Sequence, residues 1–317
     1  MIQDITAIYH NQYKEQNPSV GDCIIFVKGR NVLIKKNTEE IEFLRYEEIE
    51  ELEMSFRYLF AIDTEEGRKR FFLGEARLLA EDVLKEYSYE QQNVFRTKQP
   101  KELAFAGITA CQLANWYEST RFCGACGSGL EHDKKERMMR CPSCNVTHYP
   151  KISPAVIVAV TNGDKLLMTK YAGRSYKNYA LIAGFAEIGE TIEETVKREV
   201  MEEAGLKVKN IRYYKSQPWS FTDTLLLGFW CEVDGDDTIT MDEEELSVAE
   251  WIGRDEITME YDGISLTNEM IMWFKNAQEG VINFSHTNIV RIANIVPAQG
   301  AKAPVKFAGA GNARVLI

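Results

Sequence analysis

No apolar run in this 317-residue chain approaches the roughly 20 residues that a membrane-spanning helix requires. The strongest runs, AVIVAV at 155–160 and LLLGFWC at 225–231, are of strand length. A basic surplus is missing too, since 37 Lys and Arg stand against 48 Asp and Glu, a formal charge of −11. That balance argues against a bulk electrostatic grip on nucleic acid or on an acidic membrane, though it is compatible with a local basic groove. The opening MIQDITAIYH lacks the basic region and apolar core of a secretory signal, so a cytosolic protein is expected. Cysteine is sparse, and its odd count of seven does not suit a secreted disulfide framework. Cys23, Cys111 and Cys231 stand alone in apolar surroundings and read as core residues.

What is present is concentrated between Gly184 and Leu206, GFAEIGETIEETVKREVMEEAGL. Thr191 followed three residues later by Glu194 is a capping box, which predicts a helix starting there. Gly205 suits a left-handed cap, so the helix is expected to stop at Ala204. Ile192, Val196 and Val200 make an apolar stripe. At about 100° per residue, Glu199 and Glu203 fall on nearly one line at its margin, with Glu202 a step further round and Arg198 beside it. A helix built only to pack keeps its carboxylates wet, because burying unpaired charge is costly. Two aligned glutamates at a buried margin make sense around a hard divalent cation. Glu190 enters from the preceding loop, where Arg198 is placed to pair with it and hold the loop to the helix. The plain alternative, a solvated acidic face, is the default for an isolated pair of glutamates.

A second cluster lies upstream: Cys123-x₂-Cys126, fourteen residues, then Cys141-x₂-Cys144. Each pair sits on a Gly- or Pro-containing turn, as in a zinc ribbon. Four thiolates complete a tetrahedral Zn²⁺ shell and leave no position for water, so the site reads as structural. The gap is one residue under the usual range. With four cysteines available, His148 reads as a loop or strand histidine. Lys134, Lys135, Arg137 and Arg140 are offset by Glu131, Asp133 and Glu136, so nucleic acid is not expected as the main partner.

These clusters divide the chain. Residues 1–118 read as an N-terminal α+β domain with strands at 23–29, 31–36 and 58–63. A mixed signal follows at 71–80, then an expected loop at 90–102 and a helix leading to the cysteines. No chemistry is legible there, and support of a dimer or of a substrate-site wall is the expected role. Residues 119–150 read as the ribbon. From 151 to 280 strands interleave with helices in an α/β pattern, closing on an amphipathic helix at 265–277. Residues 281–317 suggest short strands and a tail containing GAGNA, a weak glycine cluster read as a turn. They carry no functional reading.

Gly184, Glu190, Arg198, Glu199, Val200, Glu202, Glu203, Gly205 and Leu206 fill every fixed position of the Nudix box. The stretch therefore resembles an intact Nudix hydrolase site. The resemblance implies an α/β/α sandwich with a mixed sheet, and hydrolysis of a nucleoside diphosphate linked to another group with Mg²⁺ or Mn²⁺. Further on, Ser216-Gln217-Pro218-Trp219-Ser220-Phe221 resembles the SQPWPF motif of the NADH pyrophosphatases within that superfamily. The order of FCGACG, ribbon, YPKISPAVIVAV, box and SQPW is also that family's, over about residues 110–255.

This second resemblance implies cleavage of NAD(H) to AMP and nicotinamide mononucleotide by a homodimer whose site lies near the subunit interface. Action on NAD-capped RNA is known in some members. It further implies Glu199 and Glu203 as metal ligands, joined by the Ala183 carbonyl. The third carboxylate is Glu245, or Glu244 if the alignment slips by one residue. Tyr149, Phe185, Gln217, Trp219 and Glu136 match substrate-contact positions, where aromatic faces suit nicotinamide or adenine rings. Ser220 and Thr222 stand where that family usually has proline, which leaves the preference for NAD(H) over ADP-ribose or other dinucleotides open and hydrolysis untouched. A metal-activated water would attack phosphorus, with Glu202 or Glu203 taking the proton. The rival class is a regulatory or nucleic-acid-binding protein with an inactive copy of this fold, which the complete glutamate set disfavours.

Overall fold

The computed structural model describes residues 1–75, 79, 81–173 and 178–277. Met1–Asn276 form one compact unit, and a second unit begins at Ala277. The stretch 281–317 lies outside the described residues, as does part of 71–80. No helix among the described residues is long and apolar enough to cross a membrane.

The first part of the chain builds β1 (Ile8–His10), β2 (Cys23–Ile25), β3 (Val27–Lys28), β4 (Asn31–Lys35), β5 (Leu44–Arg45), β6 (Phe56–Thr64) and β7 (Gly67–Gly74). A short α1 (Glu81–Glu86) and β8 (Tyr87–Gln91) follow. One sheet runs β1-β6-β7-β2-β5 and a second β3-β4-β8. The stretch 23–29, expected as one strand, divides at Phe26. Its carbonyl accepts from the Leu33 N–H at 2.9 Å, which passes the chain from one sheet to the other.

The segment expected to be a loop at 90–102 is instead ordered through most of its length. A 3₁₀ turn spans Gln92–Arg96, and α2 (Lys101–Ser119) starts soon after. The cause is Phe95, which is fully buried. Its ring lies so close to α2 that a Cβ on Gly107 would come within 2.2 Å of it. Only glycine allows that approach.

The ribbon contributes β9 (Glu131–His132), β10 (Met139–Arg140) and β11 (Thr147–His148), in the order β11-β10-β9. It is fastened to the N-terminal sheets and α2. The His132 ring bridges the Tyr13 hydroxyl at 3.2 Å and the Tyr117 hydroxyl at 3.0 Å. Arg137 donates to the carbonyls of Asn11 and Leu59.

The last part is a mixed sheet of β12 (Ser153–Asn162), β13 (Lys165–Tyr171), β14 (Ile182–Phe185), β15 (Val208–Trp219), β16 (Thr224–Val233) and β17 (Leu246–Gly253). Its order is β15-β16-β12-β13-β17, with β14 paired to β12. Strands β12 and β16 run parallel, and the other pairs are antiparallel. Alternate residues of β16 face opposite layers, as a strand's two-residue period requires. Phe229 and Cys231 share a core with Val196 and Val200 of α3 (Ile192–Ala204). Gly228 and Trp230 face α4 (Leu266–Asn276), where the Trp230 and Trp273 ring centroids are 5.0 Å apart. Helices thus cover both faces. The motif SQPW is the end of β15, and the turn begins only after Trp219.

A separate core joins the N-terminal sheets and α2 to residues far along the chain. Phe60, Phe71, Phe95 and Phe105 pack in one cluster with Met139 of the ribbon and Phe221 of the β15–β16 hairpin.

Candidate active site

Helix α3 has the ends the sequence predicts. The Thr191 hydroxyl accepts from the Glu194 N–H at 3.2 Å, and the Thr191 N–H donates back to the Glu194 carboxylate at 2.8 Å. Gly205 closes the helix at φ 69°, a left-handed conformation. Between these caps Glu199 and Glu203 are buried, at 8% and 2% exposure, while the Glu202 side chain is 58% exposed. The expected alignment of two glutamates on the core margin is therefore present in space.

Arg198 organises the carboxylates. Its Nε and Nη2 reach the two Glu190 oxygens at 2.6 and 3.0 Å, fastening the loop to the helix. Its Nη1 donates to Glu199 at 2.7 Å and Glu202 at 2.8 Å, and Nη2 also donates to the Phe185 carbonyl at 2.9 Å. The guanidinium, helped by the Glu187 N–H, holds the Glu190 carboxyl down at about 2. Burial pushes the Glu199 carboxyl up against the pull of Arg198, and the charges of Glu202 and Glu245 add to the rise.

The acidic turn is carried to this cluster by the end of α3. Thr240 N–H caps the Ala204 carbonyl at 2.9 Å and Asp242 N–H caps that of Glu203 at 3.0 Å. Both satisfy carbonyls that a helix end leaves open. The charge of Glu245 acts on Glu199, while the Glu244 N–H is turned to the Asp242 carboxylate at 2.8 Å. Glu199 and Glu203 are thus buried hard donors of the kind a divalent cation takes, while Glu245 stands exposed on the acidic turn.

The four ribbon thiols also form a donor set. Their sulfurs all lie within 4.8 Å of one another, with Cys123–Cys144 at 3.6 Å and Cys126–Cys141 at 3.5 Å. Tetrahedral zinc with bonds of about 2.3 Å places sulfurs about 3.8 Å apart, so the cluster fits Zn²⁺. The remaining cysteines, Cys23, Cys111 and Cys231, are free and buried, as expected.

The family pattern described as "NUDIX domain" matches residues 151–274. Residues 151–274 form a Nudix domain. Just before it, the pattern "NADH pyrophosphatase zinc ribbon domain" matches residues 118–149. The "NAD-capped RNA hydrolase NudC" of Salmonella schwarzengrund is 42% identical over 158 residues, 50% of this chain and 60% of that protein. The protein of the same name from Klebsiella pneumoniae is 42% identical over 159 residues, with the same coverage. The matched region thus spans about 60% of these curated relatives. A solved NUDIX hydrolase from Nitrosomonas europaea aligns with 24% identity over 50% of this chain and 93% of that one, with a TM-score of 0.43.

The Nudix domain depends on one glycine in a way the sequence pattern does not explain by itself. A Cβ on Gly184 would meet the Glu199 carboxyl carbon at 1.9 Å. Gly184 follows Ala183 on β14, so the Ala183–Gly184 peptide and the Glu199 carboxylate share one small space. Gly184→Ala should therefore displace Glu199 and lower kcat by about 10²-fold, the scale of a 1 Å misplacement. Steady-state kinetics beside an unchanged melting temperature would check this, and a variant with wild-type kcat would refute it.

The other residues expected at the site fall into separate groups. Phe185 adjoins the Arg198 cluster and is 54% exposed. Tyr149 and Glu136 pair with each other on the ribbon, hydroxyl to carboxylate at 2.9 Å. They border a cavity of about 580 Å³ with Lys134, Lys135 and Arg140. Trp219 is partly buried against the core that joins the N-terminal sheets and α2 to Phe221.

Gln217 differs most from the expected substrate contact, because it is fully buried. Its amide nitrogen donates to Gln3 at 2.9 Å and to the Ile264 carbonyl at 2.8 Å, and its oxygen accepts from the Leu266 N–H at 2.7 Å. Gln217 thus anchors β15 to the start of α4 and to the N-terminal segment. Gln217→Ala leaves the buried Leu266 N–H without this partner, an expected loss of about 1–3 kcal/mol in denaturant unfolding. An unchanged unfolding midpoint would refute this assignment.

Sequence reasoning missed a larger, more apolar cavity of about 730 Å³ between Tyr9, Phe105, Trp116, Ile152 and Pro218. Its walls come from distant parts of the chain, so no local pattern announces it.

Proposed function

We propose that the protein hydrolyses the pyrophosphate of NAD(H), releasing AMP and nicotinamide mononucleotide. The observation that carries this reading is the buried pair Glu199 and Glu203 beside the Arg198 cluster that ties Glu190, Glu199 and Glu202 together, in a chain that also matches the NADH pyrophosphatase ribbon. Glu199, Glu203 and Glu245, with the Ala183 carbonyl, would hold Mg²⁺ or Mn²⁺. The bound ions supply neutralisation of the phosphate oxygens and a lowered pKa for water.

The chain's own groups do the rest. Glu203 is buried, so we assign it to metal binding. Glu202 is exposed and suits proton removal from water approaching from solvent. Arg198 and Glu190 keep the loop and helix in register. Phe185 offers an exposed aromatic face beside the carboxylates, Tyr149 offers another on the ribbon, and Trp219 is partly buried at the end of β15. In this reading residues 119–150 are a structural zinc ribbon and 151–280 the hydrolase domain. Residues 1–118 brace the hairpin that carries Trp219. Exposed Ile152 and Ile188, at 62% and 104%, suit a contact between two copies in a homodimer. The free thiols suit a reducing, cytosolic setting.

A second reading, removal of an NAD cap from RNA, is favoured by the names of the relatives and by Lys134, Lys135 and Arg140 around the Tyr149 cavity. One experiment separates the two. Purified protein with Mg²⁺ or Mn²⁺ is given NADH, NAD⁺, ADP-ribose and NAD-capped RNA, and AMP or 5′-monophosphate ends are measured. Faster turnover of NADH or NAD⁺ supports the first reading, and preference for capped RNA supports the second. Preference for ADP-ribose discards both substrate assignments. No turnover of any substrate, with zinc bound and the fold intact, would point to a regulatory protein.

A further inference from the structure

The β15–β16 hairpin ends in a turn gripped from outside the Nudix domain. The Thr222 N–H donates to the Trp219 carbonyl at 3.2 Å, closing the turn around Ser220 and Phe221. Neither Ser220 nor Thr222 restricts its backbone as proline would. The bracing comes from the 3₁₀ turn before α2. The Arg96 guanidinium lies 4.9 Å from the Trp219 ring centroid and 4.5 Å from that of Phe221, while the two rings are 4.9 Å apart and tilted by 49°. The Gln92 side chain adds a weaker bond, reaching the Phe221 carbonyl at 3.4 Å.

We propose that Arg96 is a positioning residue for Trp219, setting the plane of the indole against which a substrate ring stacks. Phe221 is 4% exposed and is fixed by the core around it. Trp219 is only partly buried, so burial alone does not hold its ring. A guanidinium packed on both rings ties the less constrained to the more constrained. A flat cation within about 6 Å of an aromatic centroid is attracted to the ring face. Arginine can also lie flat against such a ring, which lysine's compact ammonium cannot do. Without Arg96, the indole must be ordered when ligand binds, and immobilising one such side chain weakens affinity by about 3–10-fold. The cost falls on binding rather than on the chemical step.

The inference rests on the proposed role of Trp219 as a substrate contact, and the test separates the two. The protein is labelled with 5-fluorotryptophan, and the Trp219 line in the ¹⁹F spectrum is identified by its loss in Trp219→Phe. NAD⁺ is then titrated without added Mg²⁺ or Mn²⁺. In Arg96→Ala the Trp219 line of the free protein should move or broaden, and the NAD⁺ midpoint should rise about 3–10-fold. With metal, KM should rise similarly and kcat stay within about twofold. Arg96→Lys should restore part of the affinity, and Arg96→Gln, planar but uncharged, less. These two also serve if the alanine variant folds poorly.

A Trp219 line unmoved in Arg96→Ala overturns the inference, and so does a moved line with an unchanged NAD⁺ midpoint. A wild-type Trp219 line that ignores NAD⁺ overturns the substrate-contact role itself, and the inference falls with it. Failure of that role is therefore seen in the wild type, and failure of the positioning role only in the variants.

Discussion

Glu203→Gln should leave the fold and the zinc content unchanged while reducing kcat by about 10³-fold or more. The substitution keeps the shape of the side chain and removes only its charge. Glu203 is 2% exposed and lies on the same line of α3 as Glu199. In the proposed mechanism Glu203 would help hold a divalent ion, which would supply stabilisation of charge at the phosphorus under attack. Such stabilisation is worth several kcal/mol, and each ~1.4 kcal/mol is tenfold in rate. Glu193→Gln, an exposed change in the first turn of the same helix, should leave kcat within about twofold. Steady-state rates across a metal titration test both variants. A Glu203→Gln enzyme within tenfold of wild type at saturating metal would remove Glu203 from the ligand set.

Loss of zinc should have the largest effect on stability. The ribbon has only three two-residue strands, too little structure to persist unaided. Zinc binding to thiolate sites of this kind contributes about 10–16 kcal/mol, as much as the whole stability of many domains. Cys141 is fully buried, and Cys141→Ser should bind less zinc and expose the backbone from Phe122 to Tyr149 to hydrogen exchange. The disturbance should spread to Tyr13 and Tyr117, which hold His132 from the other side. Metal analysis, melting curves and exchange by peptide would follow this. An apo protein with the wild-type melting temperature would show that the ribbon does not need its metal.

The parts of the fold legible from sequence are those decided within a few residues. The two ends of α3, the pairing of Arg198 with Glu190 and the alignment of Glu199 with Glu203 all depend on helical geometry and local caps. The ribbon is equally local, because each CxxC turn carries its own two ligands. What could not be read depends on contacts between remote residues. Gln217 matches a substrate-contact position in sequence, yet its amide bonds to Gln3, 214 positions away. Phe95 looks like one apolar residue in a polar stretch until Gly107 opens a space for it. Nor does the linear order show that Tyr149 and Glu136 pair on the ribbon, apart from the carboxylates on α3.

The seat of Phe221 bears on where this chain can be cut or spliced. By sequence the residue belongs to the Nudix domain, but its ring is packed among side chains of the N-terminal sheets and α2. A fragment beginning near residue 151 would keep the ring and lose its socket, leaving an apolar knob at the tip of the hairpin. A graft that supplied a foreign N-terminal partner would have to rebuild that socket, together with groups to meet Gln217 and Trp219. Recombination between relatives should accordingly succeed more often when the hairpin tip and the N-terminal sheets come from the same parent.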